Sequence, residues 1–162
     1  MIVANSSPVI TLARQGLLDL LKDCFEKVII PECVYKEVMH KDASPEAVAL
    51  ARAIKAKWIS VHPSPIIPNL ETKNIGEGEK EAIALAHHHK FLLIIDDDLA
   101  KKYSSIFGVE AHGTLYVIYV ACARKILSKS RARIALDSMI ADGFYISSNL
   151  YSEFISLLDS LE

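Results

Sequence analysis

Two rhythms of apolar residues alternate along this chain. Short apolar runs stand at 2–4, 28–30 and 91–95, and Trp58-Ile59-Ser60-Val61, interrupted by one serine, is a further strand candidate. The run at 91–95, Phe91-Leu92-Leu93-Ile94-Ile95, contains no polar residue, as a strand does when a parallel sheet is covered on both faces. Between these runs the apolar positions recur at helical spacing. Ser7-Pro8 offers a cap followed by proline at the first helical position, predicting a helix to about residue 15, with Gly16 as its left-handed end. A second helix is expected over 17–23, with Leu17, Leu18, Leu20 and Leu21 mostly inward. Pro31 opens a helix to about residue 39, a loop is expected at 41–45, and 45–57 reads as an alanine-rich helix.

Pro63, Pro65 and Pro68 make 62–74 the one loop or lid candidate. Helix resumes over 78–89, a short helix follows 96–98, and a weak strand is expected at 109–111. A helix over 115–126 is expected to share Leu115, Ile118, Tyr119 and Cys122 on one face. Two further helices close the chain, the last with Leu150, Phe154, Leu157, Leu158 and Leu161 in one stripe. Strands alternating with helices predict an α/β fold with an open, mostly parallel sheet.

Composition narrows the class. The 162 residues, 51% apolar and 23% charged, predict one globular domain spanning 1–162. A net charge of −2 provides no global basic field, so any attraction to nucleic acid must be local. Cys24, Cys33 and Cys122 form no CxxC pair, which predicts buried free thiols and no zinc ribbon. The first residues lack signal-peptide character, and the longest apolar run, 115–123, is shorter than the about 20 residues that span a bilayer. The expectation is a soluble, cytoplasmic protein.

Ligands of open parallel sheets bind beyond the carboxyl ends of the strands. Asn5 follows the first strand and Asp96-Asp97-Asp98 follows the apolar run. Three consecutive aspartates fit either a solvated helix start or a metal site. Glu37 lies beside the apolar stripe of its helix, near Cys33 and Val34. Glu79 precedes Ala82, Ile83 and Ala86 at i+3, i+4 and i+7, so it is expected inward, whereas Glu81 need not be. Separately these glutamates read as an edge ion pair and a helix-start residue. Together, inward carboxylates near one sheet edge point to a common site for Mg2+ or Mn2+, hard cations that take oxygen ligands. Such ions serve phosphodiester hydrolysis by activating water and stabilising the leaving oxygen.

These residues also resemble a known family. Asn5-Ser6-Ser7-Pro8-Val9-Ile10, Pro31-Glu32-Cys33-Val34-Tyr35-Lys36-Glu37-Val38, Gly78-Glu79-Lys80-Glu81-Ala82-Ile83 and Leu93-Ile94-Ile95-Asp96-Asp97, then Gly113-Thr114-Leu115, are similar to the ordered motifs of a prokaryotic PIN-domain branch. The resemblance spans residue 2 to about 125. It implies a three-layer α/β/α domain with a twisted, mostly parallel sheet of four to five strands. It further implies a metal-dependent endoribonuclease related to the VapC-type toxins, with RNA as substrate, a possible antitoxin partner and homodimerisation. The helices of about 131–162 would pack on the domain or form the partner surface. Carried over by position, Glu37, Glu79 and Asp97 are the catalytic acids, Asn5, Glu37, Glu79, Asp96 and Asp97 the metal site, and Ser7 lies nearby. Asn5 departs from the family's aspartate and removes one negative charge. The alternative is therefore a weakened or silent module that binds RNA or an antitoxin.

Other signals are weaker. His87-His88-His89 ends a helix, where imidazolium favours the dipole, and consecutive residues diverge too far to chelate one ion. Arg124, Lys125, Lys129, Arg131 and Arg133 form the densest basic stretch, read as a solvated interhelical turn ahead of a phosphate-binding patch. A receiver-like phosphoacceptor domain fits neither the spacing nor the opening motif. Ser7 lacks nucleophile-elbow spacing, which argues against a serine hydrolase.

Overall fold

The computed structural model describes residues 1–40 and 43–162, so Lys41 and Asp42 of the expected 41–45 loop lie outside the described residues. The order is β1 (Ile2–Ala4), α1 (Ser6–Arg14), α2 (Asp19–Phe25), β2 (Val28–Pro31), α3 (Glu32–Met39), α4 (Pro45–Lys55), β3 (Ile59–His62), α5 (Pro68–Glu71), α6 (Glu77–His89), β4 (Leu92–Ile94), α7 (Asp98–Ile106), β5 (Ala111–His112), α8 (Thr114–Ala123), α9 (Lys129–Ala141) and α10 (Ser148–Ser160). Five strands form one sheet in the order β3-β2-β1-β4-β5, and every pairing is parallel. The fold is α/β with helices on both faces, as the unbroken apolar strands require.

Alternation along the strands divides the core. Ile2, Ala4, Val28, Ile30 and Ile94 join one buried cluster with Leu12, Leu21, Val34, Leu50, Val117 and Leu136 of the helices. Val3, Ile29, Leu93 and Ile95 face the opposite cluster, formed with Leu70, Ile83, Leu85 and Ala100. Because each strand's side chains point to opposite faces, a one-residue slip would exchange the two cores. The sheet order reverses between β1 and β4, and a crevice at such a reversal is where open sheets hold ligands.

Several boundaries differ from the expected ones for local reasons. The first helix starts at Ser6, with Asn5 in the extended cap position, and Ser7 is its second residue. The Asn5 N–H is drawn into the sheet by Ile94 O at 2.9 Å, so the chain turns helical directly after it. Gly16 takes φ +67° as expected of a left-handed end. The 62–74 segment is irregular as expected apart from His62, which ends β3, and α5, opened by Pro68, which packs against α6 with its Leu70 fully buried. In α8 the buried residues are Thr114, Val117, Ile118, Ala121 and Cys122, whereas Leu115 and Tyr119 are half-buried. A single-faced stripe fails there because α8 packs among α1, α2, α9 and α10. In α10 only Phe154 and Leu158 of the expected stripe are buried, and Leu150 and Leu157 remain exposed. No helix among the described residues is long and apolar enough to cross a membrane.

Candidate active site

Helices that follow parallel strands begin at the strands' carboxyl edge, which collects their N-termini there. Asn5, after β1, and Asp96, after β4, flank the reversal in strand order. Asn5 is only 1% exposed, and its Nδ2 donates to Glu79 Oε1 at 3.1 Å. Its Oδ1 is buried and has no hydrogen-bond partner among the described residues. Leaving a buried carbonyl unpaired costs about 1–3 kcal/mol, so the arrangement calls for a reason.

The surroundings of that oxygen are built by glycine. A Cβ at Gly78 would stand 3.4 Å from Asn5 Oδ1 and 3.6 Å from Glu37 Oε2. The missing side chain leaves a cradle between an amide oxygen and a carboxylate from another helix. Gly76, which precedes α6, has a different reason to be glycine. The Glu79 carboxylate folds back so closely that a Cβ at Gly76 would lie 2.2 Å from its Oε2. Gly76 thus lets Glu79 reach back over the helix start and meet Asn5.

Asp96 organises the other half. Its Oδ1 accepts the Thr114 N–H at 2.7 Å, and its Oδ2 accepts the hydroxyls of Thr114 at 2.7 Å and Ser7 at 3.0 Å. One carboxylate therefore ties the starts of α1 and α8 together, where helix dipoles favour negative charge. Gly113 permits this, since a Cβ there would sit 2.9 Å from Asp96 Oδ1 and 3.5 Å from Lys101 Nζ. Ser7 is near the site as expected, whereas Thr114 is a partner that no sequence expectation names. Thr114 stands within the Gly113-Thr114-Leu115 motif, which by itself assigns its side chain no partner.

The remaining acids are distributed, not pooled. Asp97 is exposed and caps α7, its Oδ1 accepting the Ala100 N–H at 2.7 Å. Asp98 pairs with Lys101 at 3.3 Å. Glu81, whose orientation the sequence left open, is half-buried and its Oε2 accepts the Cys33 N–H at 3.0 Å. The reason is that α6 buries Ala82, Ile83, Ala84, Leu85 and Ala86, nearly its whole circumference, so Glu81 reaches the start of α3. Among the described residues, no group of three or more His, Cys, Asp or Glu side chains gathers as a metal-holding set. The common cluster of inward acids expected from sequence is thus not assembled, because Asp96 and Asp97 each satisfy a helix start and Glu37 is exposed rather than inward. What remains around Gly78 is two carboxylates, Glu37 and Glu79, and the unpaired Asn5 oxygen. Hard oxygen donors of this kind suit Mg2+ or Mn2+, which keep several waters of their own.

Burial pushes the Cys33 thiol above its ordinary range, with the Glu81 and Glu37 carboxylates adding to the shift. Cys24 and Cys122 are buried, free and likewise pushed up by burial. The histidines at the end of α6 diverge as expected: His87 Nδ1 lies 2.8 Å from Phe107 O, whereas His89 stacks on Phe91 at 5.3 Å. Much of the basic stretch is spent on structure. Arg124 donates to Cys24 O at 2.6 Å, Lys129 to Asp159 O at 3.3 Å, and Arg133 pairs with Asp159. A cavity of about 600 Å3 opens among Ala13, Lys22, Arg52 and Trp58, and none of the candidate acids lines it.

The chain is similar to known proteins. Among solved structures it resembles a PilT N-terminus domain protein from the hyperthermophilic archaeon Sulfolobus solfataricus. The two share 16% identity with a TM-score of 0.48, over 72% of this chain and 90% of that one. No curated protein matches it. The family model described as DUF3368, PIN domain, matches residues 1–160. With nearly its whole length matched in this way, the chain belongs to the PIN-domain family.

Proposed function

We propose that this chain is a Mg2+- or Mn2+-dependent endoribonuclease acting beyond the carboxyl ends of β1 and β4. PIN domains are generally nucleases and typically depend on a divalent metal. The observation that carries the reading is the buried Asn5 oxygen, unpaired among the described residues and set beside the bare Gly78 with Glu37 and Glu79. Asn5, Glu37 and Glu79 would hold the ion, with Asp96 and Asp97 at the adjoining corner. When bound, the ion supplies Lewis-acid polarisation of a phosphate and a lowered pKa for the attacking water. The chain's own residues supply position. Asn5 orients the Glu79 carboxylate, while Thr114 and Ser7 fix that of Asp96.

A second reading has its own observation. Asn5 brings no charge, and its amide nitrogen already satisfies Glu79 Oε1. This favours a weakened or silent PIN module that binds RNA or an antitoxin, as a member of a toxin–antitoxin pair would. Under either reading residues 1–162 act as one cytoplasmic domain. The exposed Leu150 and Leu157 of α10 then belong to a surface for a second copy or an antitoxin.

Cleavage of an RNA oligonucleotide with Mn2+ separates the readings in three proteins: native, Asn5→Asp and Glu37→Gln. The enzyme reading expects slow native cleavage that Glu37→Gln abolishes and Asn5→Asp accelerates. Cleavage by Asn5→Asp alone supports the silent module. No cleavage by any of them, with no Mn2+ binding in calorimetry, overturns the metal-nuclease reading.

A further inference from the structure

An aromatic stack lies beside this edge. His112 ends β5, the outermost strand on its side, and its carbonyl accepts the Ile95 N–H at 2.8 Å. It is therefore anchored one residue from Asp96 in the sheet and two from Thr114 in the chain. The imidazole lies flat against Tyr116, in the first turn of α8, with centroids 4.0 Å apart and planes 13° from parallel. Tyr116 in turn faces Phe25 at 6.5 Å and 24°. The His112 Nε2 edge is held by Glu110 Oε1 at 2.9 Å, which fixes the ring plane, and the side chain remains 35% exposed.

We infer that the His112–Tyr116 stack is a platform for one unpaired nucleobase of single-stranded RNA, next to the Asp96 corner. The choice of ligand rests on the nuclease reading; the platform itself rests on ring geometry. A ring clamped on one face and along one edge is preorganised to take a second flat partner, so little rotamer freedom is lost on binding. Stacking of this kind accepts any base, because every base has a π-face. Bases paired within a duplex stay in the helical stack and cannot reach such a platform. The Lys101 ammonium lies on the same corner near Gly113, paired at 3.3 Å with the exposed Asp98, a contact that an adjoining phosphate would have to exchange.

The test uses the full chain and a short single-stranded RNA carrying 2-aminopurine, with EDTA present so that binding is read apart from cleavage. Native protein is expected to quench the probe on binding, and a duplex of the same sequence is not. His112→Ala is expected to weaken binding about 10-fold and remove the quench. His112→Phe, which keeps a ring at the edge, is expected to retain both, and it serves as the control should the alanine variant melt early. Native-like quenching by His112→Ala, or His112→Phe as weak as alanine, overturns the platform. Such a failure alongside Mn2+-dependent cleavage leaves the nuclease reading standing. Quenching without cleavage supports the platform in a silent module. A native chain that neither binds nor cleaves the RNA overturns both.

Discussion

The amide nitrogen of Asn5 donates to the Glu79 carboxylate at 3.1 Å, and the amide oxygen of the same side chain is buried without a partner. An aspartate at this position could not make that contact as an ionised group. It would set a second carboxylate against Glu79 at a site 1% exposed. The Asn5→Asp variant is therefore expected to be less stable than native protein by about 1–3 kcal/mol in EDTA. Added Mn2+ should restore more of its melting temperature than it adds to native protein, because only the variant gains a charge for the ion to offset. Melting curves with and without Mn2+ check this. Equal metal shifts in the two proteins would count against a cation site at Asn5.

Gly78 allows stability and function to be pulled apart. Alanine is favoured over glycine inside a helix, so Gly78→Ala should hold or raise stability by up to about 1 kcal/mol. Its Cβ, however, would occupy the space between Asn5 Oδ1 and Glu37 Oε2, at 3.4 and 3.6 Å. The expected outcome is an unchanged or higher melting temperature together with weaker Mn2+ binding by calorimetry. Unimpaired Mn2+ binding in Gly78→Ala would place the ion elsewhere.

Much of the fold was legible in the sequence because burial on both faces leaves a plain mark. The run at 91–95 could be read as a covered parallel strand without any tertiary information, and β4 lies within it. Helix starts were read less well where a side chain had two uses. Ser7 resembled a cap, yet its hydroxyl donates across the sheet edge to Asp96, 89 residues on. The acidic residues themselves were visible; their partners were not. Glu81 and Asp97 differ little from Glu79 and Asp96 in composition, but they hold the N–H groups of Cys33 and Ala100. Only the packing of α3, α7 and α8 decides which carboxylate is left facing the edge.

Thr114 is the clearest partner that sequence could not assign. It is fully buried, and both its N–H and its hydroxyl donate to Asp96 at 2.7 Å. Thr114→Val keeps shape and the backbone contact but deletes the hydroxyl. A hydrogen bond to a charged group contributes about 1.5–3 kcal/mol, and a loss in that range is expected in urea unfolding. Ser7→Ala, which removes an exposed bond to the same oxygen, is expected to cost less. The reverse ranking would mean that Asp96 is anchored mainly to α1.

His89 gives the protein a pH dependence at the far end of α6. Burial holds its imidazole below the ordinary value of 6.5, and the neighbouring His88 and His62 add to the shift. Above that ordinary value the ring is neutral in both folded and unfolded chains, and its neutrality costs nothing. As pH falls below it, the unfolded chain takes up the proton first, so stability declines and continues to decline until the folded ring titrates at its lower value. Native protein should therefore lose urea resistance in the window that opens just below pH 6.5. His89→Gln removes the titrating group, and the slope of the unfolding midpoint against pH in that window should become shallower. Matching slopes in the two proteins would show that another group, not His89, sets the acid response.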